Sequence, residues 1–150
     1  MQDLATVESV SARLETVLTR LSAHFRSMPE SKLLGRLPDG RSRAAAGHEL
    51  AGQVALAAQG VEDRHELLPP PWRLLPFEGP FVVGDQIGVT GRDLLVACAA
   101  ATAVMAATAA AGDLAREVWA PGDGRRSQRL GIEDLLGQVL GAAEELARIL

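Results

Sequence analysis

The residues able to do acid–base or metal chemistry in this chain are few and scattered. Histidine occurs three times, at His24, His48 and His65. No two of these stand at i and i+4, no HExxH string is present, and a single cysteine, Cys98, excludes a zinc finger or ribbon. His48 and Glu49 adjoin on a helix, so their side chains diverge by about 100° and do not face one metal easily. His65 fits the C-terminal end of a helix, where an imidazolium meets the negative end of the dipole. The sequence therefore predicts no catalytic set, no metal site and no cofactor.

The most distinctive local string is Gly84-Asp-Gln-Ile-Gly-Val-Thr-Gly-Arg-Asp93. Gln86, Thr90 and Asp93 fall at i, i+4 and i+7, one face of a helix, and can form a polar binding stripe. The plainer reading has Asp85 charging the helix start and Gln86 and Thr90 bonding to a nearby loop backbone. The glycines at 84, 88 and 91 do not spell GxGxxG, and no phosphate motif follows.

Just upstream, residues 65–83 carry Pro69, Pro70, Pro71, Pro76 and Pro80, which exclude a regular helix or a central strand. The same stretch holds Trp72, Phe77 and Phe81, three of the protein's five aromatic residues. A connection this long is functional or disordered as a rule, and its aromatic content argues for order. It either lays Trp72, Phe77 and Phe81 over the bundle as a cap, or turns Trp72 outward as a partner anchor.

The elements that must position these residues read as helices. Leu4, Val7, Ser11, Leu14, Leu18, Leu21, Phe25 and Met28 alternate steps of three and four, a seam with a period of about 3.5 that Pro29 ends. Pro38-Asp39-Gly40 is turn chemistry. A second long helix is expected from Ser42 to Arg64 with the seam Gly47, Leu50, Val54, Ala57 and Val61. Its glycines, Gly47, Gly52 and Gly60, each cost about 1 kcal/mol against alanine, which close approach of a neighbouring helix would offset. The third runs from Gly84-Asp85 through Ile87, Gly91, Leu94, Cys98, Ala101 and Met105 to at least Ala111, and continues or restarts through Asp113 to Trp119. Pro121-Gly122-Asp123-Gly124 breaks the chain. The fourth starts near Gly131, with Ile132, Leu136, Val139, Ala143, Leu146 and Leu150 as its seam. No strand is expected. The prediction is one all-α domain over 1–150, an up-down-up-down four-helix bundle with a long Pro/aromatic-rich loop between helices 2 and 3.

In that topology the first and third connectors share an end. Lys32, Arg36, Arg41 and Arg43 would then join Arg125, Arg126 and Arg129 in a basic pole, with acidic residues gathered at the other end. Such a pole can take nucleic acid or another anion. Only Phe25 is interleaved with these arginines, however, and the nucleic-acid reading is not favoured over solvated loop charge.

Composition agrees with a helical domain. The chain has 150 residues, 47% of them hydrophobic and only 3% aromatic, so its core rests on aliphatic side chains. A net charge of −4 does not call for a polyanionic partner. The lone cysteine and an N-terminus without a basic region and apolar stretch point to the cytoplasm. Leu94 to Gly112 carries no charge, but it is rich in Ala and Thr, and is read as a central bundle helix buried on most sides rather than a membrane span.

Three strings, Ala-Ala-Gly-His-Glu-Leu-Ala around His48, Ala58-Gln-Gly-Val-Glu62, and Phe81-Val-Val-Gly-Asp-Gln-Ile-Gly-Val-Thr-Gly-Arg-Asp-Leu-Leu95, resemble small uncharacterised helical-bundle proteins of actinobacteria. That resemblance spans roughly residues 10–100 and implies a helical fold without implying an activity. A four-helix fold of this kind is also similar to the DinB-like mycothiol-dependent enzymes. Membership there would imply a three-histidine metal site, whose spacing His24, His48 and His65 do not supply. The expected function is that of a non-enzymatic bundle acting through protein–protein contacts, as a homodimer or other homo-oligomer. The alternatives are an anion-binding module at the basic pole and a small-ligand bundle near Gln86, Thr90 and Asp93.

Overall fold

The computed structural model describes residues 4–108, 116–124 and 126–150. Helix α1 is Leu4–Ser27, the one-turn α2 is Glu30–Leu33, α3 is Arg43–Glu62, α4 is Val83–Ala107 and α5 is Ile132–Ile149. A 3₁₀ turn at Pro80–Val82 leads into α4, and strands β1 (Glu117–Pro121) and β2 (Ser127–Gly131) lie between α4 and α5. The boundaries follow local chemistry. Pro29 closes α1, the Ser42 hydroxyl accepts a hydrogen bond from Ala45 N–H to cap α3, and Pro80 opens its turn at the first position.

The all-α expectation is corrected by the hairpin. β1 and β2 pair antiparallel, with Trp119 opposite Arg129 and Pro121 opposite Ser127. Val118 and Ala120 point into the core, and the Pro121–Gly124 break is the hairpin's turn, with Gly124 in the left-handed region at φ 71°. The extension of the third helix through Ala111 and Asp113 falls outside the described residues, and Trp119, where it was expected to end, lies in a strand.

The up-down-up-down order is also corrected. Near the end of α1, Ser22 and Arg26 bond to Gly84 and Asp85 at the start of α4, so these helices are antiparallel. At the start of α3, Gly47 lies against Val83 and His48 bonds to Gln86, so α3 and α4 run parallel. Leu50 of α3 lies by Leu146 of α5, and Ala57 lies by Leu135, so that pair is antiparallel. The long helices therefore run up-down-down-up. α1 packs chiefly on α4 and α5, and α3 on α4, with β1 and α5 beside it.

Parallel neighbours require a connection that travels back along the bundle. Residues 63–79 supply it as an extended strap, free of helix and strand. α3, at 20 residues, is about 30 Å long. A proline-rich extended chain advances about 3.1 Å per residue, so roughly ten residues cover the return.

The core is aliphatic, as expected. Val7, Leu14, Leu18, Leu21, Phe25 and Met28 of the first seam are buried, as are Leu50, Val54, Ala57 and Val61 of α3 and Ile87, Leu94, Cys98, Ala101 and Met105 of α4. The glycines of the Gly84–Asp93 string have a packing reason. A Cβ would stand 2.8 Å from the Ser22 carbonyl oxygen at Gly84, 2.9 Å from Ser22 Oγ at Gly88 and 3.0 Å from Leu18 at Gly91. They let α4 approach α1 closely.

Candidate interaction surface

The strap is fastened by two glutamines. Gln59 Oε1 accepts from Arg73 N–H at 2.8 Å, and its Nε2 donates to the Arg73 carbonyl at 3.0 Å, imitating a strand partner. Gln86 Nε2 donates to the Pro76 carbonyl at 2.9 Å. That orientation turns Gln86 Oε1 toward His48, whose Nδ1–H donates to it at 3.0 Å. Phe77 meets the His48 ring edge-on at 5.2 Å between centroids. Half-buried Trp72 donates from Nε1 to Ser127 Oγ at 2.9 Å and lies against Gly60.

Of the residues expected to form a stripe, the structure brings only Gln86 to the strap. Thr90 is buried and donates to the Gln86 carbonyl of its own helix at 2.7 Å. Asp93 is exposed and makes no bond to the strap. The aromatic residues divide between the two readings of the loop. Trp72 faces inward, whereas Phe77 and Phe81 stay exposed together with Leu67, Leu68 and Leu74.

The basic residues are not brought together. Because α3 and α4 are parallel, the first connector lies where α1 ends and the hairpin lies at the opposite end. Lys32, Arg36, Arg41 and Arg43 are thus separated from Arg126 and Arg129 by the length of the bundle, and Arg125 lies outside the described residues. Several are already engaged. Arg41 bridges Asp39 and Glu49, each at 2.6 Å. Arg36 donates to the Gly40 carbonyl at 2.6 Å. Arg129 donates to the carbonyls of Arg64 and Glu117 and stacks over Trp119 at 4.7 Å.

The isolated titratable groups have structural surroundings. Burial pushes the Cys98 thiol up to about 12, opposed in part by Arg64, so it stays protonated at neutral pH. Among the described residues, no group of three His, Cys, Asp or Glu is placed to hold a metal ion.

Sequence reasoning missed the outer face of α4. This helix was expected to be buried on most sides, and that is corrected. Together with its 3₁₀ turn it is long and apolar enough to cross a membrane, yet only 39% of its most apolar stretch is buried. One face packs through Ile87, Leu94, Cys98 and Met105, while Val89 is 60% and Val96 64% exposed on the other. Val89 and Val96 line a groove against α1 of about 610 Å³, which Gly88, Gly91, Ser22, Thr19 and Arg92 also border. It continues toward the N-terminal half of α1 as a second depression of about 520 Å³, with Ala12, Ala103 and Ala106 in its walls. The signal was present in the sequence as valines at 89 and 96, off the buried seam.

No family model, no curated protein and no solved structure matches this chain.

Proposed function

We propose that the protein is a non-enzymatic helical-bundle module that acts by docking the outer face of α4, with the α1 groove beside it, against another protein chain. The observation that carries this reading is the mismatch between composition and burial in α4. A helix this apolar along most of its length is normally enclosed, and only 39% of its most apolar stretch is buried. Val89 and Val96 stand exposed on this face with Arg92 and Asp93 between them, and alanines line the groove beside them; exposed apolar side chains gathered along one helix face mark an interaction site. A protein partner suits it better than a bilayer, because Glu8, Glu15 and Arg92 border the same groove and would be costly in lipid. The cytoplasm is the compartment that fits such a module. The anion-binding alternative loses its support once the basic residues are divided between the two ends.

A photoreactive side chain introduced at position 96 in the native host tests this. It is expected to crosslink to a protein chain, whereas the same group at Ala147, exposed on α5, is not. Equal yields at the two positions would reject the reading.

A further inference from the structure

We infer that the chain docked on this face is a second copy of the protein, held by a two-fold axis that crosses the α1/α4 groove between Arg92 and Glu15. The inference rests on the docking reading above and adds the partner and the register.

The first argument is charge. The groove's two depressions share Glu15, Leu95 and Ala99, which marks its midpoint. Arg92 and Arg26 border the half toward the end of α1, and Glu8 borders the other half. Arg26 is spoken for by Asp85 at 2.6 Å. Glu8, Glu15 and Arg92 have no ion-pair partner among the described residues. One end of the groove thus carries an unpaired cation, and the centre and other end carry unpaired anions. A two-fold axis set between Arg92 and Glu15, on the basic side of that midpoint, lays Arg92 of each copy over Glu15 of the other. Arg92 then meets Glu15 of the second copy, and the symmetry makes that contact twice.

The second argument is size. α1 and α4 have 24 and 25 residues. Their shared face is therefore about 36 Å long and, at about 10 Å per helix, roughly 20 Å wide. That is on the order of 700 Å² per protomer, close to the roughly 800 Å² per partner of a standard stable interface. The small side chains of Ala12, Ala99 and Ala103 let the facing helices approach closely, and Val89 and Val96 supply the apolar centre.

Sedimentation equilibrium of the full chain tests the proposal with Glu15→Arg, Arg92→Glu, Val96→Glu and the Glu15→Arg/Arg92→Glu double variant. The wild type is expected to be a dimer. Each single charge reversal places like charges across the axis twice and should raise the dimer Kd on the order of tenfold or more. The double variant restores opposite charges and should return to within about threefold of wild type. Mixing the two single variants is the sharpest arm, because only the heterodimer pairs opposite charges at both contacts. It should form in preference to either homodimer, and a merely misfolded variant would not do this.

A wild-type chain that stays monomeric overturns the proposal. If crosslinking at position 96 still succeeds, the docking reading stands with a different partner chain. If Val96→Glu dissociates the dimer but the charge variants behave as wild type, the face is right and the register is overturned. A dimer indifferent to all four variants forms elsewhere and removes both.

Discussion

At the scale of single residues, two glycines in one helix have opposite meanings. A Cβ at Gly60 would collide with the Trp119 carbonyl, where β1 presses on α3, whereas a Cβ at Gly52 meets nothing within 4 Å. Gly52→Ala is therefore expected to raise stability by about 0.5–1 kcal/mol through lower unfolded-state entropy. Gly60→Ala should lower it by roughly 1–3 kcal/mol, because the obstacle is backbone and cannot rotate away. Urea denaturation of the pair reads both signs, and equal shifts would contradict the packing described. Cys98 gives a pH-dependent counterpart. Burial raises its thiol from an ordinary 9.0 to about 12. The folded state thus holds this proton more tightly than the unfolded chain. The resulting stability is intact below pH 9 and is lost as pH rises toward 12. Cys98→Ala should lose less stability than wild type between pH 7 and pH 10.5, and alkylation of the native protein should require unfolding. Spacing made the buried seams legible and placed the start of α3 near Ser42. The expected close approach of a neighbouring helix holds at Gly47, but at Gly60 the neighbour is β1 and at Gly52 there is open space, because spacing does not reveal what lies beside each side of a helix.

At the scale of elements, the strap decides the topology and is held by few bonds. Gln59 and Gln86 fasten it at Arg73 and Pro76, Trp72 reaches Ser127, and Trp119 and Arg129 hold its start at the Glu66 and Arg64 carbonyls. Gln59→Ala and Gln86→Ala should each cost about 1 kcal/mol. The larger effect should be local, since the strap buries little and opens without global unfolding. Trypsin cleavage after exposed Arg73 is expected to accelerate about fivefold or more in either variant, with the helices otherwise intact by circular dichroism. Unchanged cleavage would mean that the glutamines do not hold the strap. The strap's existence was legible from its prolines. Its direction was not read, although length was the available clue, because antiparallel neighbours need only a short loop. The hairpin was illegible for a different reason. Each strand has only five residues, and Ser127-Gln128-Arg129 shows no apolar alternation. Pairing depends on packing against α3 and on Arg129, which ties β2 to the Arg64 and Glu117 carbonyls.

At the scale of the whole molecule, parallel α3 and α4 have two consequences. Reversing the expected direction of α4 relative to α3 carries the hairpin to the end opposite the first connector, which divides the basic residues. It also leaves α4 between α1 and the strap with an outer face that, among the described residues, no element covers. Composition made α4 look like a central helix, and only the three-dimensional arrangement shows that, among the described residues, its outer face is left open. If a second copy encloses it, folding and association are linked, and the native state gains about 1.4 kcal/mol per dimer for each tenfold rise in protein concentration. Shared between two chains of this size, that corresponds to an increase in Tm of roughly 2 °C per tenfold. Calorimetry over a hundredfold concentration range should therefore show Tm climbing for the wild type. Val96→Glu, which places a charge at the centre of the apolar face, should give a flat line that lies below the wild type at high concentration. A wild-type Tm independent of concentration would show that α4 keeps its bare face in solution, and the enclosing surface would then have to belong to a different chain.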